Sequence, residues 1–94
     1  MKNKQFPLVT IITPAYNRAD LIEETIHSVL EQKYPNLEYI IIDDGSKDNT
    51  LKVIKKYKDK VKIVSQKNMG ETRTVNKGFS LAHGDIIAVI NSLG

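Results

Sequence analysis

A three-layer α/β/α, Rossmann-like fold on a mostly parallel four-stranded sheet is what this sequence predicts, and two observations carry the prediction. Short β-branched apolar runs alternate with longer amphipathic stretches along the chain. Each connection between apolar runs holds a helical pattern, which is the connection parallel strands require. The order is therefore β-α-β-α-β-α-β, and right-handed crossovers make it half of a doubly wound layer. With 40% hydrophobic residues and no internal repeat, low-complexity tract or linker, residues 1–94 read as one domain. A domain of that size buries roughly 60 to 65% of its unfolded surface.

The first strand is "LVTIIT" (8–13). A helix is expected from about Asp20 to Gln32, with Ile22, Ile26, Val29 and Leu30 at helical spacing and Asp20 and Glu23 as a capping pair. "LEYIII" (37–42) is the second strand. The second helix should span about Asp48 to Tyr57, turning Leu51, Ile54 and Tyr57 inward. "VKIV" (61–64) is the third strand. A third helix over about Glu71 to Ala82 should set Val75, Phe79 and Ala82 against the sheet, with Gly78 weakening it by roughly 1 kcal/mol. His83-Gly84 reads as its stop, the glycine left-handed and the histidine suited to the helix dipole. "DIIAVI" (85–90) is the fourth strand.

Composition limits the function classes. Without cysteine, neither disulfides nor thiolate metal sites can form. The apolar runs are too short to span a membrane, and the N-terminus lacks the pattern of a signal peptide. The expected location is cytoplasmic, with the full-length protein peripheral to a membrane as a variant of that expectation. The formal charge of +3 comes largely from Lys52, Lys55, Lys56, Lys58, Lys60 and Lys62. They can attract phosphates or keep a helix face wet; no aromatic residues form a base-stacking platform beside them, so nucleic acid is not expected as a partner.

In open α/β sheets ligands collect at the carboxyl ends of the strands, and that rim gathers the polar residues of this chain. It carries 13–18 after the first strand, Asp43-Asp44-Gly45-Ser46 after the second, 65–70 after the third and Asn91-Ser92 after the fourth. Asp44 can accept donors from a nucleobase or ribose, or close an Asx-type turn. Tyr16 can stack on a base or anchor its loop. Asp43 points away from Asp44 and is expected to orient a loop. Ser46, Asp48 and Thr50 read most simply as caps of the second helix. There is no phosphate-binding G-x-x-x-x-G-K-[ST], no G-x-G-x-x-G after the first strand, no G-x-S-x-G and no histidine pair at metal-ligand spacing. His27, midway along the first helix, reads as a surface or interface residue.

"VTIITPAYNRADLIEETIHSVLEQKYPNLEYIIIDDGSKDNT" and "NMGETRTVNKGFSLAHGDIIAVINS" resemble the family 2 glycosyltransferases, inverting nucleotide-sugar-dependent enzymes of the GT-A fold. The resemblance runs from about residue 8 to 92. It implies that Thr13, Pro14, Ala15, Tyr16 and Asn17 lie against the nucleoside, that Asp44 takes its donors, and that Asp43 helps shape the pocket. Gly70 to Gly78 would border the nucleotide. The family's arginine before an asparagine is replaced here by Val75, before Asn76, and Arg73 is the stand-in. A surface arginine is the alternative.

The resemblance also implies Mg²⁺ or Mn²⁺ for the full-length family member, held by a D-x-D motif. That motif is expected at or beyond Leu93, and the catalytic base beyond Gly94. The chain therefore reads as the truncated nucleotide-binding portion of a glycosyltransferase, with no catalytic residue and no strongly bound metal of its own. The expected partners are a nucleotide-sugar donor, UDP-sugar favoured, and an unidentified acceptor glycan or lipid. Two other readings stand beside it: a non-catalytic interaction module that forms a homodimer or swapped assembly, and a phosphoacceptor pair at Asp43 and Asp44. The second fits poorly, since receiver-like acidic pairs follow the first strand.

Overall fold

The structure, a computed structural model, describes residues 6–92. Four parallel strands, β1 (Val9–Ala15), β2 (Leu37–Asp44), β3 (Lys62–Gln66) and β4 (Ile86–Val89), lie in the order β3-β2-β1-β4. The helices are α1 (Ile22–Leu30), α2 (Thr50–Ile54) and α3 (Glu71–Leu81), with a 3-10 turn at Lys55–Tyr57 after α2. Two steps toward β3 put α1 and α2 on one face. The return crossover to β4 puts α3 on the other, as right-handed connections demand.

The central strand β2 is buried on both faces from Glu38 to Asp44, which accounts for its nearly unbroken apolar run. Tyr39 and Ile41 pack with Ile22, Ile26 and Val29 of α1 and Ile54 of α2. Ile40 and Ile42 pack with Ile12 on the α3 side. Removing one such isoleucine side chain from water is worth about 2 to 3 kcal/mol, so these two clusters hold the layers together.

Several local expectations need correction. Asp20 and Glu23 do not cap α1. The Arg18 carbonyl takes the first N–H groups, those of Leu21 and Ile22, and Glu23 turns to Tyr57 and Lys56. The second helix gives way to a 3-10 turn after Ile54, leaving Tyr57 half-buried.

The third helix is rotated from its expected face. Thr74 and Gly78, one turn apart, meet the sheet, Val75 and Ala82 are half-buried, and Phe79 is 45% exposed. Gly78 is the cause: a Cβ there would lie 2.6 Å from Ile12 Cγ2, so the missing side chain lets the helix settle on β1. Gly84 is likewise not a left-handed cap. It runs tight against Thr10, whose Oγ1 a Cβ would meet at 2.5 Å.

At the amino ends of the strands, remote from the carboxyl-end rim, Glu38 is 8% exposed and surrounded by donors. It accepts the Thr10 hydroxyl at 2.6 Å, the His83 backbone N–H at 2.8 Å and the Lys62 ammonium at 2.5 Å, with His83 Nδ1 at 2.8 Å. Burial alone would raise its pKa, but these bonds outweigh it and hold the carboxyl far below the usual carboxylate range. His83 thus serves β2 rather than the dipole of α3. Lys62 is the one member of the lysine-dense stretch engaged here; Lys52, Lys55, Lys56, Lys58 and Lys60 are exposed. No helix among the described residues is long and apolar enough to cross a membrane.

Candidate functional site

The carboxyl ends of β1, β2 and β4 and the N-terminal end of α3 surround a cleft of about 210 Å³. Its walls are Pro14, Ala15, Tyr16, Arg18, Asp44, Asn68, Gly70, Glu71, Thr74, Asn91 and Ser92. Three loops build it, and side chains tie each loop to its neighbour.

The loop after β1 is fastened to the loop after β2. Asn17 takes the left-handed conformation that asparagine tolerates, with φ of 51°, and its N–H donates to Ser46 Oγ at 2.9 Å. Its side-chain oxygen accepts the Lys47 N–H at 2.8 Å. The N–H of Arg18 reaches Thr50 Oγ1 at 2.7 Å, and that of Ala19 reaches Asp48 Oδ2 at 3.2 Å. Asp48 also accepts the Thr50 N–H at 2.9 Å at the start of α2. Against the opposing effect of burial, its bonds to Thr50 and Ala19 keep its carboxyl below the ordinary value. So Asp48 and Thr50 serve both the α2 terminus and the neighbouring loop, and Ser46 serves the loop alone.

Asp44 fastens the end of β2 to the loop before α3. Its Oδ1 accepts the Met69 N–H at 2.8 Å and the Gln66 amide at 3.0 Å, and its Oδ2 accepts the Gly70 N–H at 3.0 Å. Asn68 donates to the Asp44 carbonyl at 3.0 Å. At 4% exposure burial would raise the Asp44 pKa, yet these donors, with Gln66 foremost, lower it. The carboxylate is therefore ionised and aimed at the N-terminal end of α3, where a negative charge is favoured. The Gln66 amide also donates to Thr74 Oγ1 at 3.1 Å, and that hydroxyl donates to the Gly70 carbonyl at 2.7 Å. Gly45, with φ of 73°, lets the chain turn against Asn68, whose backbone N a Cβ would meet at 2.6 Å.

Pro14, Ala15, Tyr16, Asp44 and Gly70 line the cleft, and Tyr16 is 41% exposed on its wall. Thr13, Asn17, Asp43 and Arg73 do not line it. Thr13 is fully buried with its hydroxyl 2.9 Å from that of Tyr39, whose pKa burial pushes up to about 12. Asp43, 2% exposed, accepts the N–H of Ser46, three residues on, at 3.3 Å, and its Oδ1 has no partner among the described residues. Arg73 is exposed on α3.

Six more residues line the cleft: Arg18, Asn68, Asn91 and Ser92 of the expected rim, and Glu71 and Thr74 of the 70–78 stretch expected to border the nucleotide, none of them singled out beforehand for a contact of its own. Thr74 follows Gly70 by one helical turn, and Asn91-Ser92 end the fourth strand, so spacing carried a signal for these three. Arg18 belongs to the loop motif itself.

The described residues do not fit a divalent cation. No three acidic or histidine side chains converge among them. At the β4 end, the Ser92 carbonyl accepts Arg18 Nε at 2.9 Å, and its hydroxyl is 2.8 Å from that of Thr25. The position expected for the metal motif, Leu93 and beyond, lies outside the described residues.

Comparison with known proteins follows the same outline. The family model for glycosyl transferase family 2 matches residues 10–92. A putative teichuronic acid biosynthesis glycosyltransferase of Bacillus subtilis is 40% identical over 90 residues, covering 92% of this chain and 36% of that protein. An uncharacterized glycosyltransferase of Haemophilus influenzae is 42% identical over 86 residues, covering 87% of this chain and 27% of its own. Among solved structures, the mannosyltransferase PcManGT from Pyrobaculum calidifontis, in complex with GDP-Man and Mn²⁺, superposes with a TM-score of 0.85 at 30% identity, over 92% of this chain and 27% of that one. S. aureus TarS 1-349 in complex with UDP-GlcNAc gives 0.84 at 28% identity, over 90% and 26%. The chain thus spans about a third or less of the length of these relatives. With the four-stranded parallel sheet, the rim loops and the family match all covering the same residues, the chain belongs to glycosyl transferase family 2.

Proposed function

We propose that this chain forms the donor-nucleotide site of an inverting glycosyltransferase, with a UDP-sugar as the favoured donor. The observation that carries the reading is the meeting of Tyr16 and Asp44 in one cleft at the carboxyl ends of parallel strands. Tyr16 offers a half-exposed ring for a base to stack on. Asp44 has three of its four acceptor positions filled by Gln66, Met69 and Gly70, leaving one on Oδ2 for a base or ribose donor. Two structural neighbours were solved with GDP-Man or UDP-GlcNAc, which supports a nucleotide-sugar donor.

In the reaction so assigned, an acceptor hydroxyl attacks the anomeric carbon from the face opposite the diphosphate. A carboxylate base takes the hydroxyl proton as the bond from the sugar to the diphosphate breaks, which inverts the configuration. We assign that base, and the acceptor site, to the part of the relatives that this chain does not span. The isolated chain should then bind nucleotide without transferring sugar. Titrating it with UDP and GDP, with and without Mn²⁺, should shift the amide signals of Tyr16, Asp44 and Gly70. Unchanged signals at all three with every nucleotide would rule the reading out.

A second reading, assembly with another copy of the chain, is favoured by β4. Ile86 and Val89 on that strand are 52% and 38% exposed, and an apolar groove of Val9, Ile11, Val29, Leu37 and Ile90 runs beside it. Such a strand edge invites pairing. A constant monomer mass in sedimentation across concentrations would exclude it.

A further inference from the structure

We propose that Arg18 is the residue that binds the diphosphate of the donor. The inference rests on the reading of the cleft as a donor-nucleotide site and adds which side chain meets the charge of the ligand. Three side chains lining the cleft carry formal charge: Asp44, Glu71 and Arg18. They are not evenly spread. Asp44 sits against the amides that precede α3, and Glu71 lies in the first turn of that helix. Arg18 lies toward the β4 side, tied to Ser92.

An entering diphosphate would meet two negative charges on the α3 side and one positive charge on the β4 side. The N-terminal end of α3 is a second positive feature of the rim, but the Asp44 carboxylate already faces it, and Lys67 of the loop after β3 does not line the cleft. That leaves Arg18. No carboxylate lies within salt-bridge distance of its guanidinium among the described residues.

The guanidinium is also held ready. Nε donates to the Ser92 carbonyl at 2.9 Å, and one terminal nitrogen donates to the Asn17 carbonyl at 3.3 Å. Of its five N–H groups, three keep no partner among the described residues, and a planar fork of that kind matches phosphate oxygens. Because both bonds are made to backbone, little further ordering is needed when an anion arrives. The cleft thereby acquires a direction: base and ribose between Tyr16 after β1 and Asp44 at the end of β2, phosphates toward β4.

The test is a calorimetric or NMR titration of wild type, Arg18→Ala and Arg18→Lys with uridine, UDP and inorganic pyrophosphate. Wild type should bind UDP more tightly than uridine. Arg18→Ala should lose roughly ten- to hundredfold in UDP affinity, the span of a charge-assisted hydrogen bond, and lose pyrophosphate binding, while uridine binding stays within about twofold. Arg18→Lys, which keeps the charge without the fork, should fall between them. Should Arg18→Ala not fold, the UDP-to-uridine ratio of Arg18→Lys decides, and it should drop several-fold.

An unchanged ratio in a folded variant overturns the role of Arg18. So does a wild type that binds uridine and UDP equally, with the nucleoside site left standing. A wild type that binds neither overturns the donor-site reading itself.

Discussion

The Asp44 carboxylate, at the end of β2, accepts the backbone N–H of Gly70 at 3.0 Å, at the N-terminal boundary of α3. With the parallel bond to Met69, this makes Asp44 the clasp between two loops as well as a wall of the cleft. Two roles for one side chain lead to the first prediction.

Asp44→Asn keeps one oxygen acceptor but presents an NH₂ group to one of three donors. It should cost about 1 to 3 kcal/mol of stability, the range for a buried donor left unpaired, and move the amide signals of Met69 and Gly70 without added ligand. Chemical denaturation and an amide spectrum measure both. Unchanged Met69 and Gly70 signals would mean that the clasp is not formed.

Gln66 supplies the leading hydrogen bond that lowers the Asp44 pKa. A carboxyl whose folded pKa lies below its unfolded one stabilises the fold above the unfolded value, about 3.9, and loses that contribution as pH falls through the folded value. In Gln66→Leu the folded value should rise, so the Asp44 carboxyl signal should titrate at higher pH than in wild type. The same midpoint in both proteins would contradict the Gln66 bond.

Glu38 gives a separate acid-sensitive term at the other end of the sheet. Its folded pKa is depressed, so its stabilisation is complete above about 4.3 and fades at lower pH. Glu38→Gln should be about 1 to 3 kcal/mol less stable than wild type at pH 7, with the gap narrowing by pH 3. Denaturation midpoints at the two pH values check it; a gap that widens in acid would reverse the sign argued here.

Gly78→Ala separates helix propensity from packing. Propensity alone favours alanine by roughly 1 kcal/mol. The contact with Ile12 predicts the opposite, a loss of about 1 to 3 kcal/mol from overpacking, because a Cβ would lie 2.6 Å from Ile12 Cγ2. A higher melting temperature for the variant would show that α3 does not rest on β1 at this point.

The strands, their order along the chain and the three-layer architecture were legible because apolar alternation and crossover length are strong signals. The face of α3 was not, since a hydrophobic pattern gives weight to Val75 and Phe79 and none to Gly78, whose contribution is the space it leaves. The capping pair failed for a related reason: Asp20 and Glu23 have suitable spacing, but Tyr57 and Lys56, remote in sequence, compete for Glu23. At the rim, motif reasoning identified Tyr16 and Asp44, which line the cleft. It put Arg18 on the rim without a role, because the bond from Arg18 to Ser92 spans 74 positions and exists only once β1 and β4 are neighbours.

The central claim is that a nucleoside lies between Tyr16 and Asp44. Intermolecular nuclear Overhauser contacts between the base protons of bound UDP and the Tyr16 ring test it most directly, with Tyr16→Ala as the control. Contacts to Tyr16 that vanish in the variant, with UDP affinity falling by roughly five- to a hundredfold for a lost stacking partner, are the predicted result. Base contacts to Val9, Ile11 or Ile90 in the apolar groove, with none to Tyr16, would contradict it.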